Sequence, residues 1–363
     1  MTQVTTLGRG SLGLPRGTNQ PQEQDNSTAD SARRSIAAHK LPAVVRAYGS
    51  ATDLAADPDV DLVIVCVNVG KHYELAKPAL LGKKDVYVEW PLDATVADAR
   101  ELTDLAREKG VRTAVGLQAR SDRLVLKLKE LLATNEIGDV VSSTVAASMG
   151  LINSIRWTEA SAYYLDMATG GNSYHIFLAT VILDSFTNVL GPFDASNIHA
   201  ILKTVNKTTA LYDSMKPDSK VVNPAYPVTS PDHILVQGVL ASGAVASFAF
   251  RKPPSTAVDD VGFRWLITGT KGEIEVTVPE MNWQFADPRM KLRIKKVGEE
   301  TAREVDYVAG QEDERTGGQI HVALNTARSY DAFAKGDETR FATYESALAT
   351  HELLQRIVES AGW

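Results

Sequence analysis

One cysteine in 363 residues leaves no disulfide that can close within the chain. Cys66 lies in the apolar run "DLVIVCV", where a lone thiol behaves as a small buried hydrophobe. The absence of a disulfide framework fits a reducing compartment, and a cytoplasmic location is expected. Positive charge is also scarce: 38 Lys and Arg stand against 45 Asp and Glu, for a net charge of −7. A nucleic-acid or anionic-membrane surface needs clustered cations, so neither partner is expected. No apolar run reaches the roughly 20 residues of a membrane-spanning helix, and the polar opening residues predict no secretory leader. No His, Cys and Asp cluster has metal-ligand spacing, so no metal is expected. Neither a G-x-S-x-G elbow nor a Ser/His/Asp set is evident.

What the chain does have is alternation. Apolar residues make up 44% of it, and its length predicts two domains. "AVVRAY", "VDLVIVCV", "DVYVEW" and "VRTAVGLQ" read as strands. They are interleaved with "SARRSIAAHK", "KHYELAKPALLGKK", "TVADARELTDLAREKG" and "DRLVLKLKELLATNEIG", which read as helices. Pro78 predicts a kinked or short second helix, and Gly110 a stop for the third. Strand and helix taking turns implies a parallel sheet covered by helices. After about residue 138 the pattern changes. Strands at "DVVSSTVAAS", "NIHAILKTV", "DHILVQGVLASGAVASFAF", "FRWLITGTKGEIEVTV" and "KLRIKKV" surround one helix over about Asn172 to Val189. The stretch "TVNKTTALYDSMKPDSKVVNPAYPVTSP" reads as a long polar connection.

The expected class is α/β: an incomplete, atypical Rossmann-type doubly wound domain plus a C-terminal α/β domain with a large open, mostly antiparallel sheet. Residues 1–30 are expected to form a disordered arm, 31–138 the dinucleotide-binding domain and 139–363 the open-sheet domain, with a closing helix over 344–360 packing back. Gly8, Gly10 and Gly13 satisfy G-x-G-x-x-G. That fingerprint needs a helix starting on the turn. Pro15, Gly17 and Pro21 oppose one, so the match is read as coincidental.

The runs "VEWPL", "GLQAR", "IGDV", "PDHILVQGVLASG" and "GTKGEIEV" carry a resemblance to the Gfo/Idh/MocA oxidoreductase family over about residues 31 to 360. The likeness is greatest to its fungal branch, which contains the yeast galactose-pathway repressor. The resemblance implies NAD or NADP as cofactor, a small hydroxyl or carbonyl substrate, and a homodimer formed through the open sheet. It also implies that Asn68, His72, Glu89, Trp90 and Pro91 line the dinucleotide. Three departures accompany it. The strand that normally supplies the adenosine-ribose ligand is missing. The family's Glu-Lys-Pro reads Glu89-Trp90-Pro91, and Trp90 brings no ammonium to the reacting oxygen. The family's Asp and His positions, aligned on "LDSFTNVLG", fall at Phe177 and Val181.

Further candidates come from the segments themselves. Gln118 is assigned to the cofactor, and Arg120, Asn172, Tyr163 and Trp157 to the substrate. His175 is the histidine best placed for acid–base work, and Lys252 a replacement for the missing ammonium. His233 is read as structural. Three activities remain open: an NAD(P)-linked oxidoreductase with rearranged catalytic groups; a non-catalytic regulator or nucleotide sensor with a protein partner; and a non-redox cyclase or dehydratase reusing the cleft.

Overall fold

The computed structural model describes residues 4–8, 29–40, 45–150, 155–254, 257–258, 260–279, 285–309 and 321–363. They divide into two compact units, Met1–Gly116 with Ala342–His351, and Leu117–Phe341 with Glu352–Trp363. The expected boundary at 138 therefore falls inside the second unit, and the closing helix contributes to both.

The first unit is a parallel sheet of β1 (Val4–Gly8), β2 (Leu62–Cys66), β3 (Asp85–Val88) and β4 (Thr113–Val115), in that order. Within the stretch expected to be a disordered arm, Val4 to Gly8 form a strand that pairs in register with Leu62 to Cys66. Gly10, Gly13 and the breakers after them lie outside the described residues. The segment read as the strand "AVVRAY" forms no strand over 45–48; Arg46 is drawn instead to Asp57 and Asp59. Its residues 43–44 lie outside the described residues.

Helices α1 (Ala29–Ala38), α2 (Ala51–Ala56), α3 (His72–Leu81) and α4 (Val96–Lys109) connect these strands. α3 runs through Pro78, which interrupts it neither there nor early. α4 is capped by Thr95, whose side chain accepts from the Asp98 N–H, and stops at Gly110 with φ of 64°. That left-handed conformation suits glycine and ends the helix. β2 is an unbroken apolar run because both its faces are covered: Val63 and Val65 on one and Leu62 and Ile64 on the other are all buried.

The second unit carries helix α5 (Arg123–Ala133) and an eight-stranded sheet in the order β14-β13-β12-β11-β5-β10-β9-β6. Its strands are β5 (Val140–Ser148), β6 (Phe193–Lys203), β9 (His233–Leu240), β10 (Val245–Arg251), β11 (Phe263–Gly269), β12 (Gly272–Val278), β13 (Lys291–Lys296) and β14 (Arg303–Glu304). Only β5 and β10 pair in parallel, so the sheet is mostly antiparallel as expected. Phe186, Phe193, Phe248 and Trp265 pack together beneath it. The polar connection is not structureless. It folds into a two-stranded ribbon of β7 (Thr208–Tyr212) and β8 (Val221–Pro227).

The expected single helix over 172–189 is two pieces: a π-helix over Tyr174–Leu183, then α6 (Asp184–Leu190). A further helix, α7 (His321–Lys335), was not legible in the sequence; α8 (Tyr344–Ser360) is the closing helix. No helix among the described residues is long and apolar enough to cross a membrane.

Candidate functional site

In the first unit the carboxyl ends of all four parallel strands share one edge of the sheet, where ligands of such sheets bind. Gly8 ends β1 beside Cys66, which ends β2. The ladder continues one residue beyond β3 and β4: Glu89 N–H donates to Val65 at 3.0 Å, and Gly116 N–H to Val88 at 2.9 Å. Gly8, Cys66, Glu89 and Gly116 therefore stand at the end of neighbouring strands. A Cβ at Gly116 would press on the Glu89 carboxyl group and force it to shift, so the glycine makes room for that carboxyl. Burial pushes that carboxyl up to about 7, so near neutral pH it gains and loses a proton readily. The same burial, with Glu89 nearby, pushes the Cys66 thiol up to about 12 and keeps it protonated.

The loops beyond the strands are pinned by His72. Its ring is buried, with Nδ1 2.8 Å from the Pro91 carbonyl and Nε2 3.2 Å from the Val67 carbonyl. Burial lowers its pKa more than these carbonyls raise it, so the ring is neutral and donates from one nitrogen. His72 thus ties the loop after β2 to the loop after β3 and presents no surface to a ligand, contrary to its assignment as a cofactor contact. Asn68 remains exposed, its side chain accepting from the Gly70 N–H at 3.1 Å. Trp90 precedes a cis bond to Pro91 and packs against the His351 ring at 4.6 Å between centroids. Its indole is 7% exposed, which makes it a wall of the edge rather than a polar contact. Close by, Asp93 is buried and pushed up to about 6.

This edge fits a dinucleotide in the features it offers: small residues where a backbone must approach a pyrophosphate, and an exposed amide at Asn68. The sequence reading missed Gly116 and the role of Cys66. A glycine closing the strand "TAVG" is the signal that points to the first.

The second unit holds the remaining candidates. Arg120 is not free for a substrate: its guanidinium donates three hydrogen bonds to the Asp184 carboxylate at 2.5–3.1 Å, and both side chains are buried. Asn172 is likewise spent. Fully buried, it donates to the Met167 and Thr169 carbonyls and accepts from the His175 N–H. Both assignments to substrate are corrected by these bonds. Burial lowers His175 to about 4, so it is neutral at pH 7 and a weak acid–base partner for that pH. Tyr163 stacks on Tyr164 at 4.2 Å, and Tyr164 lies 5.9 Å from Trp157. The three form one aromatic cluster, of which Trp157 lines a pocket.

Gln118 is half-buried and opens a turn over Gln118–Ser121 whose other residues are buried. Phe177 and Lys252 line one pocket with Trp157; the side chain of Val181 lies outside the described residues. His233, at the start of β9, hydrogen-bonds Asp232 at 2.9 Å. No group of three or more His, Cys, Asp or Glu among the described residues could hold a metal ion.

Comparison with known proteins agrees with both halves. Residues 16–117 match the oxidoreductase family with an NAD-binding Rossmann fold, and residues 124–278 match the C-terminal domain of Gal80p. The dehydrogenase aclE of Aspergillus oryzae is 29% identical over 337 residues, 92% of this chain and 85% of that protein. The galactose/lactose metabolism regulatory protein GAL80 of Saccharomyces cerevisiae is 26% identical over 239 residues, 63% of this chain and 53% of the regulator. Among solved structures, a super-repressor mutant of Gal80p from Saccharomyces cerevisiae superposes with a TM-score of 0.76 at 22% identity, covering 92% of this chain and 86% of that one. Levoglucosan dehydrogenase in complex with NADH and levoglucosan gives 0.70 at 17%, covering 93% and 86%. At such identities these two show the fold alone. Residue motifs, domain matches and fold agree: the first domain matches the Gfo/Idh/MocA oxidoreductases and the second the Gal80p C-terminal domain, so the chain is similar to the Gal80-like branch of that family.

Proposed function

We propose that the protein is an NAD(P)-linked oxidoreductase acting on a small hydroxyl or carbonyl substrate, with Glu89 rather than a lysine handling the proton. The observation that carries this is the strand-end constellation of Gly8, Cys66, Glu89 and Gly116. Gly8 and Gly116 would let the dinucleotide approach the sheet edge, and Asn68 would hydrogen-bond it. The nicotinamide would supply the hydride acceptor or donor. Glu89, with its carboxyl near 7, would take the hydroxyl proton on oxidation and return it on reduction. The in-register β1 weakens the non-redox alternative, whose main support was a defective N-terminus.

A second reading, a nucleotide-sensing regulator resembling Gal80, is favoured by one feature. The position where the family has its lysine is a tryptophan packed against His351, which contributes no cation to a reacting oxygen. In either case a homodimer through the open face of the large sheet is part of the proposal. Ile201, Leu235 and Val245 share that face and are 63%, 49% and 55% exposed.

Calorimetric titration with NAD(H) and NADP(H), followed by turnover assays on polyols and ketones, tests the reading. Binding with turnover is the expected result. Binding without turnover favours the regulator, and no heat at millimolar nucleotide overturns both.

A further inference from the structure

The second unit contains a small pocket whose polar groups are unevenly spent. It is walled by Trp157, Phe177, Phe250 and Ile234, and Lys252 reaches it from just beyond β10. Its two serines are paired with each other: Ser173 and Ser230 lie 2.8 Å apart, and Ser230 also accepts the Tyr174 N–H. The carboxylate of Asp232 is saturated. One oxygen accepts from the Val205 N–H and faces His233 Nδ1; the other accepts from the backbone and side-chain amides of Asn206. Lys252 therefore feels the field of Asp232 without a hydrogen bond from it. Half-buried, it has no hydrogen-bond or ion-pair partner among the described residues. Asn206, Thr208 and Thr209 add polar side chains to the lining, and its one cation is the Lys252 ammonium.

We propose that this pocket binds a small organic carboxylate, its apolar body between Trp157 and Phe177 and its anionic end on Lys252. A hydrogen bond between two ionised groups is about twice as strong as a neutral one, which makes an anion the best partner for a lone, partly desolvated ammonium. A phosphate would need more donors than one lysine supplies. Asn206, Thr208 and Thr209 offer a polyol neutral hydrogen bonds only, whereas the lone cation adds a charge-assisted one for an anion. Burial lowers the pKa of Lys252, and an anion seated on it would reverse that shift. The proposal does not rest on the redox reading, because the pocket is complete within the second unit.

The test is calorimetric titration of the full chain with benzoate and with its neutral isostere benzamide. Benzoate is expected to saturate one site, with benzamide about tenfold weaker. Lys252→Met should weaken benzoate by about tenfold and leave benzamide within about twofold, while Lys252→Arg retains benzoate. Phe177→Trp, which fills the recess without touching the charge, should abolish both. Circular dichroism establishes that each variant is folded. Equal affinities for benzoate and benzamide, undiminished benzoate binding to a folded Lys252→Met protein, or no saturable benzoate heat overturns the proposal. Nucleotide is titrated separately, so the two readings fail independently.

Discussion

The two units solve the burial of a sheet in different ways. In the first, the parallel strands β2, β3 and β4 are covered on both faces, and the core is aliphatic: Val63, Val65, Val86, Leu80 and Leu102 are all fully buried. In the second, the strands alternate. β10 buries Ala246, Phe248 and Phe250, while Val245 and the residues between are less covered. Its core is a cluster of aromatic rings, with Phe186 edge-on to Phe248 at 4.7 Å and stacked on Trp265 at 5.5 Å. The difference follows from connection. Parallel strands need crossover helices, which cover the sheet; antiparallel strands need only hairpins and can leave one face open. It also separates their functional groups. The parallel unit gathers its candidates at one sheet edge because every strand ends there, whereas the antiparallel unit offers them from loops and helix faces.

The contrast can be broken most sharply at the charge buried in the second unit. Arg120→Met leaves Asp184 without its cation, and a loss of about 3–5 kcal/mol is expected in urea unfolding. Replacing both partners with apolar residues should recover much of it. The aromatic core comes next: Trp265→Ala should cost about 3–5 kcal/mol, against about 2–5 kcal/mol for Leu102→Ala in the aliphatic core, each read from the denaturation midpoint.

The third prediction concerns pH. The Glu89 carboxyl is raised from 4.5 to about 7 in the folded chain. Between those values the folded state holds a proton that the unfolded state has released, so stability falls as pH rises through that window. Below it the group costs nothing; above it the cost is complete. Glu89→Gln should flatten this decline and leave the protein more stable than wild type at pH 8. A parallel decline in both proteins would show that Glu89 is not the group responsible. The smallest effect is local: Gly110→Ala, forced into the left-handed region at the end of α4, should cost about 1 kcal/mol.

Much of the parallel unit was legible in its sequence, for a physical reason. "LVIVC" can be stable only where both faces are dry, and a Thr95 cap with a Gly110 stop brackets α4 through bonds formed within a few residues. β1 was harder. Five residues ahead of glycines and prolines identify a strand only through the partner they find in Leu62 to Cys66, far along the chain. The π-helix misled for a related reason. The sequence reads as one helix over 172–189, and the i→i+5 pattern over Tyr174–Leu183 is not written in its composition.

By itself, then, the sequence determined the class of each half, the main helices and strands, and the loss of the family's lysine at Trp90. These depend on local propensity, periodicity and identity. Only the tertiary structure decided which polar groups remained available. Arg120, Asn172 and His72 looked chemically ready in the sequence but are consumed by Asp184, by nearby carbonyls and by the loops they pin. Lys252 and Glu89 were left without such partners or raised by burial. Hydrogen-bond satisfaction and desolvation depend on neighbours brought together from distant parts of the chain, and no short stretch of residues encodes them.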